Sequence, residues 1–444
     1  MTGFETGRRP QTLDTPMDPL EGLKLVTSKL NPNPPESVSL DGAPCGYLAE
    51  TIECPPAGGG VGSAPLAAVN GYALSGGTQP AATCRVSGVV AVEGPLEMKE
   101  LLAEIPAAKN VLEDGAVPAW RVESGAVIPE GCDRVVSVTD TVLVGKGRIR
   151  LQRSPRAGEG ILYPPGKKGE STQGAPQLEL AEGTYLGDRL RALLISRGVS
   201  TARMRPPFTV ALASIGNELL DPRVPPDAGQ RSEVTMSWLE GAISRLGLNP
   251  LSLGTLPDTP EAIRDAIFHV RRRAKVLILV GGLGDGLTDR TVDGIRRFDT
   301  HPIFTRLELD GCSSLLFSKT QGIDILGLSG RPLAAAAGYD LFVQPGLLSM
   351  LGARASVWDW TAVSRAVAIP SPWVSTEGAS WAVRPVAAVP AAKGAPGLRI
   401  LEVQRSRFYP VLAEQIGWAV FPVPGTNEES GKAPQAYFQE VSSL

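Results

Sequence analysis

Three glycine-bearing loops, each following an apolar segment, are the parts of this chain best suited to bind an anionic ligand. They are Gly216-Asn217-Glu218, residues 281–286 (Gly-Gly-Leu-Gly-Asp-Gly) and residues 329–332 (Ser-Gly-Arg-Pro). Exposed backbone N–H groups and helix N-termini attract phosphates, and glycine lets the backbone approach them closely. A single glycine after a buried strand is also ordinary turn chemistry. Three such loops on one sheet favour a binding site.

The segments around these loops have the pattern of strands that alternate with helices. Strands are predicted at Phe208–Ile215, Lys275–Val280 and Ile323–Leu328, and helices at Glu233–Leu246 and Thr259–Arg273. Parallel strands bring the loops that follow them to one carboxyl edge. The alternation therefore predicts a doubly wound parallel sheet within residues 206–355.

The two predicted helices each have an apolar face at helical spacing. In the first helix the predicted face consists of Val234, Trp238, Ala242 and Leu246; in the second it consists of Ile263, Ala266, Ile267 and Val270. Asp258 and Thr259 are both candidates for the N-cap of the second helix, with Pro260 in its first turn. Arg271, Arg272 and Arg273 form a basic end that complements the helix dipole.

The composition limits the classes of protein to consider. A chain of 444 residues is expected to form two to four domains, and 43% hydrophobic and 20% charged residues are typical of a folded soluble protein. The net charge of −3 disfavours a nucleic-acid partner. Five scattered cysteines without a C-x-x-C pair and only two histidines disfavour a disulfide framework and a zinc site. No long apolar run or signal-like N-terminus is found, so we expect a cytoplasmic protein without a membrane partner.

The rest of the chain divides into three further regions by pattern. A discontinuous linker and helical domain is predicted at residues 17–48 and 154–205, with helices at Asp18–Leu30 and Tyr185–Gly198. Residues 49–153 are predicted to form an inserted β domain, and residues 356–444 a C-terminal β domain. The predicted strands of these β domains are Val86–Val92, Gly125–Ile128, Val135–Val138, Thr141–Val144, Ile149–Leu151, Ala366–Ile369, Trp381–Val386, Leu398–Val403 and Trp418–Pro422.

Five segments, in order along the chain, resemble motifs of the molybdopterin molybdenumtransferase family, the MoeA and gephyrin E-domain type. They are residues 65–74 (PLAAVNGYAL), 123–133 (ESGAVIPEGCD), 214–219 (SIGNEL), 281–286 (GGLGDG) and 327–332 (GLSGRP). The family motifs are S-x-M-D-G-Y-A-V, T-G-A-x-[LV]-P-x-G-A-D/C-D/E, S-T-G-D-E-L, G-G-V-S-V-G and G-L-P-G-N-P. Each motif is short, but their order and spacing together are specific.

The resemblance implies a fold and a function. The fold would be the elongated MoeA-like fold: multidomain α/β plus β, with a doubly wound α/β molybdopterin-binding domain, an inserted β domain and a C-terminal β domain. The chain would insert molybdenum from molybdate into adenylylated molybdopterin and release AMP, with Mg²⁺ as the divalent cation. The family builds its site between two subunits, so a homodimer is implied, and a molybdoenzyme would be the client.

The resemblance also assigns roles to particular residues. Glu218, Asp289 and Ser124 would be catalytic, and Glu218 and Asp289 would hold the Mg²⁺ ion. The substrate-binding positions would be Asn70, Gly216, Asn217, Gly281, Gly282, Leu283, Gly284, Asp285, Ser329, Gly330 and Arg331.

Several charged loop positions depart from the family pattern. Asn70 and Asn217 replace acidic residues, Arg331 replaces an asparagine, and residues 309–313 (LDGCS) replace K-P-G-K-P. Each lost phosphate-binding lysine removes a charge-assisted contact of roughly 1.5–3 kcal/mol. A second hypothesis is therefore a catalytically impaired paralogue that binds molybdopterin or a partner protein as a carrier, chaperone or scaffold. The sequence leaves open whether molybdenum or tungsten is handled.

Overall fold

The computed structural model describes the chain in segments separated by gaps. The described residues are 15–42, 45–54, 64–76, 82–90, 117–145, 147–163, 178–284, 290–298, 301–354, 367–368, 379–389, 397–401, 411, 413, 415, 417–423 and 437–440. The chain forms two compact units. The first contains Met1–Thr51, Ala181–Gly187 and Thr201–Leu444; the second contains Ile52–Leu180 and Asp188–Ser200.

The elements before the α/β domain are one N-terminal helix, a set of short strands and a second helix. In chain order they are α1 Pro19–Lys29, β1 Glu36–Ser39, β2 Gly46–Tyr47, β3 Ile52–Cys54, β4 Leu66–Ala67, β5 Gly71–Leu74, β6 Thr83–Val90, β7 Val117–Val122, β8 Arg134–Ser137, a 3₁₀ turn Val138–Asp140, β9 Thr141–Gly145, β10 Arg148–Leu151, β11 Ile161–Leu162, β12 Leu178–Leu180, β13 Tyr185–Leu186, α2 Asp188–Ser196 and β14 Thr201–Met204. As predicted, α1 begins after Asp18, whose carboxylate accepts the N–H groups of Leu20 and Glu21.

The second unit is built around a six-stranded sheet in the order β8-β5-β7-β6-β10-β9. Its two faces pack against separate apolar clusters, one including Ala73, Val122 and Ile128 and the other including Leu74 and Ile149. Gly125–Ile128 was expected to be a strand, but it begins in a turn and only Val127 forms an isolated bridge, to Leu66. Gly125 has a φ of +88°, and its N–H donates to Ala67. The helix predicted at Tyr185–Gly198 begins later, at Asp188, because Tyr185–Leu186 pairs with β2.

The remaining elements belong to an α/β domain and a C-terminal sheet. They are β15 Thr209–Ile215, β16 Leu219–Leu220, β17 Arg231–Ser232, α3 Thr235–Arg245, β18 Asn249–Leu256, α4 Pro260–Val270, β19 Val276–Val280, α5 Thr291–Arg296, β20 Pro302–Phe304, β21 Leu309–Asp310, β22 Leu315–Lys319, β23 Asp324–Leu328, α6 Pro332–Gly338, a π-helical turn Tyr339–Val343, α7 Gln344–Leu351, β24 Val367–Ala368, β25 Trp381–Val389, β26 Gly397–Ile400, β27 Gly417–Pro422 and β28 Tyr437–Glu440.

The α/β domain contains the six-stranded sheet β18-β15-β19-β23-β22-β20, with helices on both faces. The first four strands in this order are parallel, which places β15, β19 and β23 side by side as predicted. Two further strands, β22 and β20, extend the sheet in antiparallel pairing. Strands β15, β19 and β23 are almost wholly buried because helices cover both of their faces.

The two helices predicted from periodicity have different outcomes. The face of α4 is confirmed: Ile263, Ala266, Ile267 and Val270 are its buried residues, and Thr259 caps it. The face of α3 was predicted in part: Ala242 is buried and Trp238 and Leu246 are half-buried against the same core, but the buried Met236, Leu239 and Ile243 were missed. The half-buried Trp238 packs edge-on against Tyr339.

The C-terminal residues form a sheet in the order β24-β26-β25-β27-β28, and β21 of the α/β domain pairs with β25. Trp418 of β27 is buried, and its indole N–H donates to the Asp340 carboxylate at 2.8 Å. Burial raises the pKa of Asp340 to about 7, against the lowering effects of this hydrogen bond and of the Arg245 charge. Within the described residues, no helix is long and apolar enough to cross a membrane.

Candidate functional site

The three predicted loops meet at the carboxyl edge of the sheet. Gly281 donates its N–H to Leu328 at 2.9 Å, and Gly216 donates to Leu256 at 3.2 Å. A Cβ placed on Gly330 would lie 3.4 Å from the Gly281 Cα atom, so the second and third loops are in contact. The edge therefore brings backbone from three chain segments into one region, as a site for an anionic ligand requires.

The shape of the second loop depends on two adjacent glycines. Gly281 and Gly282 have φ values of +101° and +64°. A Cβ would lie 2.6 Å from the Ile215 carbonyl oxygen at Gly281, and 2.5 Å from the Thr291 hydroxyl at Gly282. The buried Thr291 holds this conformation, since its hydroxyl donates to Gly281 and its N–H donates to Gly282. Side chains larger than hydrogen do not fit at either glycine.

The first loop is joined to the loop after β18 by a reciprocal pair of hydrogen bonds. The Asn217 N–H donates to the Asp258 carboxylate at 3.0 Å, and the Asp258 N–H donates to the Asn217 side-chain carbonyl at 3.3 Å. This contact settles the choice of N-cap, because Asp258 pairs with Asn217 while Thr259 caps α4. The asparagine at position 217 thus has a structural role between two loops.

Glu218 is exposed at the tip of the first loop. A Cβ on Gly216 would lie 2.8 Å from the Glu218 carboxylate, so this side chain folds back over the loop. Its carboxylate is available to a cation or to a ligand at the sheet edge. Glu218 fits the donor chemistry of Mg²⁺, which uses one or two carboxylates together with water and phosphate oxygens.

Glu233 is a buried acid at this edge that sequence reasoning placed only at the start of a helix. Its carboxylate accepts the N–H groups of Thr235 and Met236, and also the hydroxyl of the buried Ser214. Glu233 therefore links the first turn of α3 to the carboxyl end of β15. An acid at the start of a predicted helix is the available sequence signal, but the contact with Ser214 depends on tertiary structure.

The third loop turns tightly before α6. The buried Ser329 hydroxyl accepts the Arg331 N–H at 3.2 Å, and Pro332 starts the helix. Gly330 and Arg331 are exposed. The half-buried Leu283 belongs to the second loop but points into the sheet, because it packs beside Gly327 and Leu316. Leu283 can therefore offer only its backbone to a ligand.

Two acidic candidates cannot be placed in this geometry. Asp285 and Asp289 lie outside the described residues, and Gly284 is the last described residue of its loop. Among the residues that are described, no group of three or more His, Cys, Asp or Glu side chains could hold a metal ion.

Asn70 and Ser124, each predicted as a site residue from a separate motif, are in direct contact in the second unit. The Asn70 side-chain carbonyl accepts the Ser124 N–H at 2.8 Å, and the Ser124 hydroxyl donates to Ala68 at 3.2 Å. Both residues are exposed. Next to them, Arg121 stacks on Tyr72 and donates to the Gly71 carbonyl.

The segment that aligns with the family K-P-G-K-P motif is largely buried, so most of its side chains do not face solvent. The two residues at lysine positions, Leu309 and Cys312, are 0% and 1% exposed. Between them, the buried Asp310 forms an ion pair with Arg384 of β25 at 2.9 Å. This segment therefore cannot present cations from the two lysine positions to a ligand.

Comparison with known protein families finds a match in the α/β domain. Residues 211–349 match the family model described as a probable molybdopterin binding domain. The described loops at the carboxyl edge of the sheet lie within this match.

Relatives extend the comparison to about half of the chain. The chain is 28% identical over 236 residues to the molybdopterin molybdenumtransferase of Bacillus subtilis. The aligned region covers 52% of this chain and 54% of that protein. The chain is 27% identical over 273 residues to the protein of the same name from Nostoc, covering 60% of each. The chain thus matches little more than half the length of these relatives.

A solved structure covers nearly the whole chain. The molybdopterin biosynthesis MoeA protein from Pyrococcus horikoshii OT3 aligns with 96% of this chain and 100% of its own, with a TM-score of 0.62 and 20% identity. This likeness establishes the multidomain α/β plus β fold of MoeA type. The matching domain and the relatives confirm the resemblance to the MoeA-type molybdopterin molybdenumtransferase family that the motifs indicate.

Proposed function

We propose that this chain acts in molybdenum cofactor biosynthesis by inserting molybdenum from molybdate into adenylylated molybdopterin, with release of AMP. The observation that supports this proposal most strongly is the convergence of three glycine loops at one sheet edge within the matched domain. The loops expose backbone that can approach the phosphates of such a substrate. The names of the relatives agree with this activity.

Different residues at this edge have different proposed roles. Gly281, Gly282 and Gly330 would approach the substrate with their backbones, and Thr291 holds the first two in place. Glu218 would hold a Mg²⁺ ion, with Asp289 as the second expected ligand. When bound, this ion would neutralise phosphate charge as the P–O bond to AMP breaks. Ser124 and Asn70 are proposed to contribute from the β domain, and a cytoplasmic homodimer is part of the same proposal.

The test is a reaction of the purified full chain with adenylylated molybdopterin, Mg²⁺ and molybdate. We expect molybdate-dependent AMP release and reconstitution of an apo-molybdoenzyme, both abolished in Glu218→Ala. A matched control is Glu240→Ala, which removes a carboxylate from α3 and should leave AMP release unchanged. If AMP release needs no molybdate, or persists in Glu218→Ala, the proposed role of this edge is wrong.

A second candidate function is supported by the buried segment around Asp310. Because Leu309 and Cys312 stand where the family has lysines, two cations of the family site are missing, and each loss would weaken substrate binding by roughly 1.5–3 kcal/mol. The chain would then bind molybdopterin as a carrier or chaperone without transferring metal. Tight binding of the pterin without AMP release would favour this candidate over the transferase.

A further inference from the structure

An exposed aromatic and basic surface lies at the end of the sheet opposite the three loops. It is formed where α4 ends and leads into the amino end of β19. Phe268 on this helix is 56% exposed. His269 beside it is also exposed, and its ring meets Phe268 edge-on.

Arg271 holds this surface in a defined arrangement. Its guanidinium carbon lies 4.5 Å from the centre of the Phe268 ring and 5.6 Å from the centre of the Phe298 ring. Cation–π contacts of this kind fix both the arginine and the exposed ring. Gly322, in the hairpin between β22 and β23, borders the surface: a Cβ there would lie 3.4 Å from the Arg271 carbonyl oxygen.

The surface carries an excess of positive charge in a chain whose net charge is −3. Residues 264–275 contain five cations (Arg264, Arg271, Arg272, Arg273 and Lys275) and one acid, Asp265. Asp265 is paired with Arg264. Among the described residues, no carboxylate forms an ion pair with any of the other four cations, and all of these except the half-buried Arg271 are exposed.

We propose that this surface, formed by Phe268, Arg271, Arg272, Arg273 and Lys275, docks an acidic segment of a partner protein that also carries an aromatic side chain. Arginine and aromatic residues are enriched at protein interfaces, and complementary charge speeds association and selects the partner. Because the surface lies at the opposite edge from the glycine loops, a partner could bind here without blocking them. This inference goes beyond the proposed function and does not depend on it.

Two other occupants fit the surface less well. A second copy placed across a two-fold axis would bring the same four cations against one another, and like charges at an interface oppose association. A nucleic acid needs a longer basic track along its backbone, whereas this chain is acidic overall and the positive charge is confined to one helix end.

The test measures binding of the full chain to a random copolymer of glutamate and tyrosine, with polyglutamate and a thymidine oligonucleotide as parallel probes. We expect copolymer binding that weakens with salt, and a loss of about tenfold or more in Arg272→Glu/Arg273→Glu. Phe268→Ala should weaken binding of the copolymer but not of polyglutamate. Arg150→Glu/Arg189→Glu, which reverses two exposed arginines of the second unit, is the matched control and should bind normally.

Thermal unfolding checks that each variant is folded, and Arg272→Gln/Arg273→Gln gives a milder pair with a smaller loss in the same direction. The proposal is overturned if the wild-type chain does not bind the copolymer, or if the patch and control variants lose binding equally. It is also overturned if the oligonucleotide alone binds at this patch. A patch variant that changes the sedimentation of the chain would instead make this face a contact between copies.

Discussion

Replacing Gly281 by alanine tests whether the second loop needs the backbone conformation described above. An L-residue at a φ of +101° costs about 1–3 kcal/mol. The added Cβ would also lie 2.6 Å from the Ile215 carbonyl oxygen, which belongs to a buried strand and cannot move away. Alanine restricts the unfolded chain and returns about 0.4–1 kcal/mol. These two terms leave a cost of up to about 2.6 kcal/mol, and the clash with the strand backbone adds to it, so we expect a net destabilisation of about 2–3 kcal/mol.

Gly330→Ala is the matched control for this substitution. Gly330 has no positive φ, and its nearest neighbour, the Gly281 Cα atom, would lie at an ordinary contact distance of 3.4 Å. The change in free energy of unfolding should stay within about 0.5 kcal/mol. Urea unfolding of both variants, compared by their midpoints, measures the difference. If Gly281→Ala is as stable as the wild type, or if Gly330→Ala is destabilised equally, the account of this loop is wrong.

Three further substitutions test buried groups. Asp340→Asn removes a carboxyl whose folded-state pKa is raised to about 7, so wild-type stability falls as pH rises from about 4 to about 7. In thermal unfolding, the free energy of unfolding of the variant relative to the wild type should rise by about 2–3 kcal/mol between about pH 5 and pH 8. Equal pH profiles for the two proteins would contradict this. Leu309→Lys should cost more than about 3 kcal/mol, with Leu309→Met as control, because the site is fully buried. A lysine tolerated there would mean that the segment can open. Glu233→Gln should cost about 1–2 kcal/mol by urea unfolding, since the charged cap of α3 is lost; an unchanged midpoint would rule out that capping role.

Much of the α/β domain could be predicted from local sequence pattern. The strands around the loops were placed to within a residue, and α4 with its cap and buried face follows from apolar spacing. Strand β18 was not predicted, although Leu251 and Leu253 alternate with small or polar residues, because it lies at the sheet edge and contains Pro250 and Gly254. The face of α3 was predicted only in part, because the four-residue spacing of Trp238, Ala242 and Leu246 follows one side of the core-facing surface and leaves out Met236, Leu239 and Ile243.

The candidate site was predictable in outline but not in its contacts. Glycine spacing identified the three loops, and two motifs singled out Asn70 and Ser124, but the hydrogen bond between these two residues was not predicted. The bond between Asn217 and Asp258 joins residues 41 positions apart, so no local pattern reveals it. The same holds for the ion pair between Asp310 and Arg384, which joins residues of β21 and β25.

Equilibrium dialysis of adenylylated molybdopterin against the full chain, without molybdate, tests the central claim most directly, since both candidate functions require binding at the glycine loops. We expect saturable binding at one site per chain, weakened about tenfold or more in Gly330→Ala, because a methyl group would stand where the backbone meets the ligand. Gly241→Ala, in α3, should bind as the wild type does. Absence of saturable binding, or unchanged binding by Gly330→Ala, would contradict the account.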